Sequence, residues 1–320
     1  MKHLHSWSVF EPLADVPGEG PLGDRLAGMG IGGLELFTLV SPVGREYVGV
    51  PGIASVHLPY AIDWHSAWEG RSYEGTEGED LTYFSFGRDR DEMVSTVRKA
   101  IRYAAAVKPA YGVMHAGNTD MRQVLKRKHE SDDLRIIEDF AELMNRVVSP
   151  FPLGESPFTL AFENLWWEGL KLRGPGEWKV LERKLEFDNW GFTLDTGHLM
   201  NTIDGLDRED DAVDAVLAVT DRYPLDMDDR IMTMHLQLSL SGSFRSSIKD
   251  DCRHDGESWK DFTARAYRRA SEIDQHRPFT SSRVREIVDS VRPRYLTHEL
   301  YGSGSGDRWG DLSRQRSLFP

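Results

Sequence analysis

Histidine and acidic side chains close a series of short apolar runs in this chain, at the points where buried strands would end. Examples are His57 in ASVHLPY, His115 in YGVMHAG and Glu163 in TLAFENL. The whole series consists of His57, His115, Glu163, Asp195, His198, His235, His254 and Glu299. Imidazole nitrogens and carboxylate oxygens are ligands that zinc and similar divalent ions prefer. If the strands lie side by side, their ends meet at one face, and the series predicts a metal site there.

A single histidine at a strand end has an ordinary structural explanation, because a buried imidazole needs only a hydrogen-bond partner. In this chain, however, five of the eleven histidines lie at or just beyond predicted strand ends. Buried ionisable groups are rare unless they are paired or bind metal, so the repetition favours a metal site. His298 precedes Glu299 and should point to the opposite side of its strand. His65, His129 and His276 fall in predicted loops or helices, where we expect structural roles.

Eight short runs with the composition of strands can be placed along the chain. They cover residues 3–9, 33–38, 53–58, 111–116, 158–163, 191–195, 231–236 and 294–300. Segments with helical spacing lie between most of them, such as 88–107, where Met93, Val97 and Ile101 share one face. Strands that alternate with helices indicate a parallel sheet, and eight repeats indicate closure. The sequence therefore predicts an α/β fold, a single-domain (β/α)8 TIM barrel with the metal site at the C-terminal face of its strands.

Two longer segments follow strand ends and should lie over the same face of the barrel. Residues 60–87 are rich in aromatic side chains and include Trp64 and Trp68. Residues 237–258 are rich in serine and include Arg253, which could bind an anionic group. We expect Trp64, Trp68 and Arg253 to contact the substrate.

One large domain accounts for the length and composition of the chain. The 320 residues are 39% hydrophobic, which is enough for a large core. The barrel should span residues 1–301, and the glycine-rich stretch that follows should form a C-terminal tail over 302–320. We recognise no secretory signal and no membrane-spanning run, and the lone Cys252 fits a reducing compartment. A cytoplasmic location without membrane association is expected.

The formal net charge of −13 disfavours a general affinity for nucleic acid, which requires a positive surface. A nucleic-acid substrate would need a local basic patch, for which MRQVLKRKH (121–129) is the one candidate run. We therefore expect a small-molecule or phosphoester substrate, with nucleic acid a disfavoured partner.

The order of these motifs resembles that of the xylose isomerase-like TIM barrels, the superfamily that contains AP endonuclease family 2. The motifs are H-x-P-Y, H-x-G, E-N, D-T-x-H, H-L and a final Glu, and they extend from MKHLHS to YLTHEL. The ligand pattern is most similar to that of endonuclease IV, which uses three zinc ions, because His57 and His115 are both present. D-T-G-H is less specific, since sugar epimerases of the superfamily share it.

The resemblance implies three metal sites. The first would consist of His57, His115 and Glu163. The second would share Glu163 and be completed by Asp195, His235 and Glu299. In this arrangement Glu163, Asp195 and Glu299 would also take part in catalysis.

The third site departs from the pattern that the resemblance implies. The family places an Asp-x-His pair beside the histidine that corresponds to His198, but this chain reads Asp251-Cys252-Arg253-His254. Either Asp251 moves into the site together with His254, or the Cys252 thiolate replaces it. We favour Asp251, and a barely occupied third site is the remaining alternative.

Two activities suit such a site. Paired metal ions stabilise the attacking and leaving oxygens of a displacement at phosphorus, so we expect a metal-dependent phosphoester hydrolase of the endonuclease IV type, acting on a small or non-generic substrate. The alternative is a sugar or sugar-phosphate isomerase or epimerase, in which one metal ion binds vicinal oxygens while Glu163 and Glu299 transfer a proton at carbon. Two or three zinc ions are the expected cofactor, with manganese or iron as alternatives.

Overall fold

Eight parallel strands close into a barrel in the computed structural model, which describes residues 1–11, 21–48, 52–71, 84–130, 132–301 and 307–320. The strands are β1 (Lys2–Ser8), β2 (Gly33–Phe37), β3 (Ile53–His57), β4 (Tyr111–His115), β5 (Thr159–Glu163), β6 (Trp190–Asp195), β7 (Ile231–Leu236) and β8 (Tyr295–His298). Each strand pairs with the next one along the chain, and β8 pairs with β1. The predicted barrel is confirmed, and every predicted strand agrees with the structure to within two residues at each end.

Helices surround the barrel and bury its outer face. They are α1 (Pro21–Gly28), α2 (Trp64–Trp68), α3 (Arg90–Ala104), α4 (Asp133–Val148), α5 (Pro175–Lys184), α6 (Thr196–Asn201), α7 (Glu209–Thr220), α8 (Leu225–Asp228), α9 (Gly242–Ser247), α10 (Trp259–Ile273), α11 (Val284–Val291) and α12 (Arg308–Arg316). Aspartate or serine side chains cap several helix N-termini, as at α3, where Asp89 accepts hydrogen bonds from the backbone of Asp91 and Glu92. In the described part of the chain, no helix has the length and apolar character needed to cross a membrane.

The two faces of the strands are both buried, which explains their nearly continuous apolar sequences. Inside the barrel, Leu4, Tyr111, Val113 and Ala161 fill the lower layers. The outer faces pack against the helices in the main core. A polar layer lies inside the barrel, where Glu35 accepts hydrogen bonds from Ser55 and Tyr111. Most histidine and acidic side chains of the series lie toward the C-terminal ends of the strands.

The C-terminal segment differs from the tail expected over residues 302–320. Residues 302–306 lie outside the described residues, but α12 packs against the barrel, with Leu312 and Gln315 fully buried. The Gln315 side chain donates to the carbonyl oxygen of Leu236 at 3.0 Å and accepts from the backbone nitrogen of Phe279 at 2.8 Å. The same amide nitrogen lies 2.8 Å from Nδ1 of His298. The helix thus completes the outer wall beside β7 and β8.

Replacing Gln315 tests whether α12 belongs to the folded domain. Gln315→Leu leaves buried backbone groups of Leu236 and Phe279 without a partner, which should lower the free energy of unfolding by roughly 2–4 kcal/mol. Ser313→Ala on the exposed face of the same helix is the control and should change it by less than about 0.5 kcal/mol. Urea unfolding followed by circular dichroism measures both, and equal stability of the two variants would contradict the packing of α12.

A pair of buried histidines on β1 faces α12 and is held neutral. His3 Nδ1 lies 3.0 Å from Nε2 of His298, and the His5 ring packs against Trp309 with ring centroids 5.5 Å apart. Burial lowers the pKa of His3 to about 4 and that of His5 to about 3, and the charges of nearby arginines act in the same direction. His298 points away from the barrel interior, as expected for a neighbour of Glu299.

These lowered pKa values predict a loss of stability in acid. The unfolded chain takes up a proton at each histidine below its ordinary pKa of about 6.5, whereas folded His3 and His5 do not until about pH 4 and pH 3. Their contribution to stability is therefore complete above about pH 6.5 and falls as the pH drops toward these values. In chelator-treated protein, the urea midpoint should fall less between pH 7 and pH 5 in His5→Phe than in the wild type. Identical decreases would contradict the prediction.

Candidate metal centre

The first group of potential ligands lies at the ends of three consecutive strands. His57, His115 and Glu163 are the last residues of β3, β4 and β5. His115 and Glu163 are paired in register across β4 and β5, so their side chains leave the sheet at the same level. Nε2 of each histidine lies 3.2 Å from Oε2 of Glu163. The three residues that sequence analysis assigned to the first site are therefore in contact.

The second group shares Glu163 and lies toward the barrel axis. Nδ1 of His235 is 2.9 Å from Oε1 of Glu163 and 2.9 Å from Oε2 of Glu299. Asp195, which is paired in register with His235, brings Oδ2 to 4.0 Å from the same nitrogen. The two oxygens of Glu163 consequently face different groups, Oε2 the first and Oε1 the second. A carboxylate in this position can bridge two ions.

The motif D-T-G-H places two ligands through a short helix. Oδ1 of Asp195 caps α6 by accepting a hydrogen bond from the backbone nitrogen of His198 at 2.6 Å. One turn of helix therefore returns the His198 side chain toward the residue that caps it. A Cβ atom at Gly197 would lie 2.1 Å from the amide group of Gln237, so a larger residue there would displace the hydrogen bonds of Gln237 to Asp195 and Asp274.

A third group forms around His198, and it consists of residues other than the predicted 251–254. Nε2 of His198 lies 3.1 Å from Oδ2 of Asp274, and the same oxygen is 3.0 Å from Nε2 of His276. Asp274-Gln275-His276 thus supplies an Asp-x-His pair beside His198. His276, expected to have only a structural role, is one of the grouped residues.

Asp251 and His254 pair with each other outside the three groups. Nε2 of the exposed His254 is 3.2 Å from Oδ1 of Asp251, whose other oxygen contacts Arg265. Cys252 is exposed. The structure does not bring residues 251–254 to His198, because the loop between α9 and α10 remains at the surface, while the end of α10 turns back over the barrel.

Three of the five imidazoles are oriented by a hydrogen bond from their other nitrogen. Nδ1 of three histidines donates to a backbone carbonyl oxygen, His57 to Leu58, His198 to Asn164 and His276 to Glu299. Nε2 of His235 has no hydrogen-bond partner among the described residues, but it lies 2.7 Å from Oε1 of Glu35 as an ion pair. Such contacts fix the tautomer and leave the remaining nitrogen facing the group, as in many metal sites.

Burial opposes ionisation in this cluster, and neighbouring opposite charges overcome it at most positions. Burial raises the pKa of Asp195 to about 7, and Glu299 and Glu163 act in the same direction. Burial would also raise the pKa of Glu299, but the charge of His235 and its hydrogen bond lower that pKa to about 2. Burial would lower the pKa of His276, yet Asp274 raises it to about 9. The carboxylates therefore require positive partners. A divalent ion that displaces the imidazole protons would supply the positive charge.

The donor set fits divalent metal ions. Within each of the three groups, one nitrogen or oxygen atom per residue lies within 4.8 Å of the others. Oδ2 of Asp195 is buried and has no hydrogen-bond partner among the described residues. A buried acceptor of this kind is costly unless another group compensates it. His65, Glu69 and Asp139 form a similar group elsewhere, but Arg71 and Arg135 pair with its carboxylates and already supply positive charge.

A cavity of about 880 Å³ opens above the three groups and includes His57, His115, His198, Asp274, His276 and Glu299 in its wall. Its upper wall is aromatic, with Tyr60, Trp166, Trp167, Tyr267 and Tyr301. Of the 60–87 segment, residues 72–83 lie outside the described residues, and Tyr60, Ala61, Ile62 and Phe84 line the cavity.

The predicted substrate contacts of Trp64, Trp68 and Arg253 are not part of this wall. Trp64 is buried and donates to the carbonyl oxygen of Gly117 at 2.7 Å, and Trp68 is buried beneath the guanidinium group of Arg90. Arg253 donates to the carbonyl oxygen of Glu257 at the surface. Both tryptophans serve the core because α2 packs its whole length against α3 and α4.

Four further residues of the centre were missed by sequence analysis: Glu35, Asn164, Gln237 and Asp274. Glu35 is a charged residue in the middle of the buried strand GLELF, and that position was an available signal. Asn164 follows Glu163 and fixes the position of Asp195, because its side-chain oxygen accepts a hydrogen bond from the backbone nitrogen of Asp195 at 2.7 Å. Gln237 donates to both Asp195 and Asp274. The Asp-x-His spacing of residues 274–276 was also readable from the sequence.

The composition of the third group can be tested by metal analysis of purified variants. Asp274→Asn and His276→Ala should each lose about one metal ion per chain, because a site with two remaining ligands binds weakly. The matched controls Asp251→Asn and His254→Ala should keep the wild-type content, and Cys252 should react with iodoacetamide equally fast before and after chelation. If the control variants lose metal while His276→Ala keeps the wild-type metal content, the third site is formed by residues 251–254 instead.

Comparison with known proteins gives similarity in structure only. No protein-family model matches the sequence, and no curated protein matches it. Endonuclease IV from Thermus thermophilus is 15% identical, with a TM-score of 0.53 over 99% of this chain and 98% of that one. A D-tagatose 3-epimerase-like protein is 13% identical, with a TM-score of 0.49 over 99% and 97% of the two chains. For 3-keto-D-glucoside 4-epimerase from E. coli the identity is 13% and the TM-score 0.49, over 99% of both chains. This chain therefore shares the eight-stranded parallel barrel fold with endonuclease IV from Thermus thermophilus.

Proposed function

We propose that this protein is a metal-dependent phosphoester hydrolase of the endonuclease IV-like type that acts on a small substrate. One observation carries the proposal: three groups of ligands converge on one cavity, and Glu163 faces two of them. An isomerase that uses a single metal ion needs only the group of Glu163, Asp195, His235 and Glu299. It leaves His57, His115 and the third group without a role.

The residues of the centre have distinct tasks in this proposal. The three groups would hold divalent ions, which would lower the pKa of bound water and stabilise the negative charge that develops in a displacement at phosphorus. Glu163 holds the first two sites at a fixed separation. Asp195 positions His198 through the α6 N-terminus and thereby couples the second and third sites. The aromatic wall excludes water around the reacting group.

The charge of the cavity supports a small substrate over generic nucleic acid. Lys260 and Arg308 are the basic residues in the wall, opposed by Glu11, Glu35, Asp274 and Glu299. A groove for duplex DNA would need several cations along the paths of its phosphates. Small phosphodiesters with an apolar or planar group suit a cavity whose wall holds Trp166 and Trp167.

Glu163→Gln tests the shared carboxylate. The amide keeps the size of the side chain but removes the charge that two sites use, so most bound metal and at least about 99% of hydrolase activity should be lost. The melting temperature of the variant should also stop responding to added zinc, since metal stabilises only the native state that binds it. Glu177→Gln is the control, because Glu177 accepts hydrogen bonds from the backbone nitrogens of Lys171 and Leu172 and lies outside the three groups. Full metal content and turnover in Glu163→Gln would exclude a bridging role.

The reaction class can be decided by comparing three histidine variants. For hydrolysis, His57→Ala and His115→Ala should each reduce kcat/KM as strongly as His235→Ala, by about a hundredfold or more. For isomerisation with one metal ion, the first two variants should retain activity and only His235→Ala should lose it. Activity is measured on bis(p-nitrophenyl) phosphate, on a duplex with an abasic site and on a panel of ketoses. Turnover of a ketose without hydrolysis of either phosphoester would contradict the proposal.

A further inference from the structure

A second, smaller pocket lies beside the metal cavity and is lined by basic residues. Its volume is about 250 Å³, and we call it the basic pocket. Its basic residues are Lys126, Arg127, Lys128, Lys171, Arg245 and Arg269. The acidic residues of its wall are Asp133, Glu168 and Asp204. In a chain with a net charge of −13, this excess of positive charge in one concave site requires an explanation.

Much of the negative charge in the wall is already neutralised. Asp133 pairs with Lys171 at 2.6 Å, and Glu168 contacts His129 at 2.5 Å. In the described part of the chain, Lys126 and Lys128 form no ion pair. The guanidinium group of Arg269 donates hydrogen bonds to the backbone carbonyl oxygens of Leu125 and Lys249. These bonds hold the loop that carries Lys126 and Lys128 in place, and they leave the positive charge of Arg269 without a carboxylate partner among the described residues.

Two buried donors among the lining residues of the pocket also lack partners. Asn201 is only 3% exposed to solvent, and its Nδ2 has no hydrogen-bond partner among the described residues. The same holds for Nε of Arg245, whose remaining guanidinium nitrogens contact Ile203 and Asp204. Unsatisfied buried donors are costly, and an acceptor-rich ligand would compensate them after a small side-chain adjustment.

The basic pocket and the metal cavity are adjacent. Their shared lining residues are Val124, Trp166, Trp167, Ala266 and Ala270. A molecule of modest size can therefore occupy both, with the two tryptophans alongside its middle. The run MRQVLKRKH, which stood out in the sequence as the one candidate basic patch, supplies three of the cations.

We propose that the basic pocket binds a second phosphate group of the substrate whose phosphoester is cleaved at the metal centre. This proposal rests on the proposed hydrolase function for the reaction, but the binding site itself does not depend on it. Lysine and arginine around a concave site match the charge and the several acceptor oxygens of a phosphate. The substrate class is then a small phosphodiester that carries a further terminal phosphate.

A small ligand accounts for the pocket better than a nucleic-acid chain does. The positive charge is confined to about 250 Å³, whereas the neighbouring cavity wall is acidic. A strand of nucleic acid would continue across the surface and would need cations beyond the pocket.

Phosphate binding to chelator-treated protein tests the pocket without the metal centre. Isothermal titration with inorganic phosphate should give binding to the wild type that is at least about tenfold weaker in the Lys126→Ala/Lys128→Ala double variant. Lys99→Ala/Lys179→Ala, on the exposed faces of α3 and α5, removes the same charge and should bind like the wild type. Arg269→Gln provides a second test if the double variant fails to fold. No binding by the wild type, or equal weakening in the control, would overturn the proposal.

Kinetics with two dinucleotides then connect the pocket to catalysis. In zinc-loaded protein, the double variant should raise KM for 5′-phosphorylated pTpT by about tenfold, while kcat/KM for TpT remains unchanged. Equal effects on both substrates would overturn the proposal, and so would lysine-dependent binding of a 20-nucleotide strand in the absence of any phosphate effect. If neither dinucleotide is cleaved, the hydrolase function fails and the titration alone decides the pocket.

Discussion

The burial of charge at the mouth of the barrel is the constraint on which the rest of this structure depends. Glu163, Asp195 and His235 have almost no exposure to solvent, and each would be costly there in isolation. They are tolerated because strands that end at the same level bring opposite charges into contact. Glu35 inside the barrel pairs with His235, and Asn164 and Gln237 at its rim form hydrogen bonds with Asp195. Metal ions would replace protons in a network whose geometry the barrel already fixes.

The barrel and most of the centre could be predicted from the sequence. Both faces of the strands are buried, so their apolar runs are continuous, and a single polar residue at the end of such a run is conspicuous. His57, His115, Glu163, Asp195 and His235 were all readable in this way. D-T-G-H was readable as a motif at the end of a strand, and the structure shows how Asp195 caps the helix that carries His198.

The residues that were missed depend on tertiary contacts rather than on local pattern. Asp274 and His276 follow α10 rather than a strand, and only the return of the chain over the barrel brings them to His198. Trp64 and Trp68 were misplaced for the same reason. An aromatic loop after a strand predicts contacts with the substrate, but in the tertiary structure α2 buries both rings in the core. Trp166 and Trp167 occupy the wall instead. At the C-terminus, the glycine-rich composition suggested a tail. In the structure, hydrogen bonds between Gln315 and the backbone of Leu236 and Phe279 attach α12 to the barrel.

The proposed function requires more than one metal ion per chain, so metal stoichiometry tests the central claim most directly. Protein purified without chelators and saturated with zinc should contain about three zinc ions per chain by inductively coupled plasma mass spectrometry, in keeping with the three ligand groups. A value of about one at saturation would contradict the account. It would leave Glu163, Asp195, His235 and Glu299 as a single-metal site of the isomerase kind.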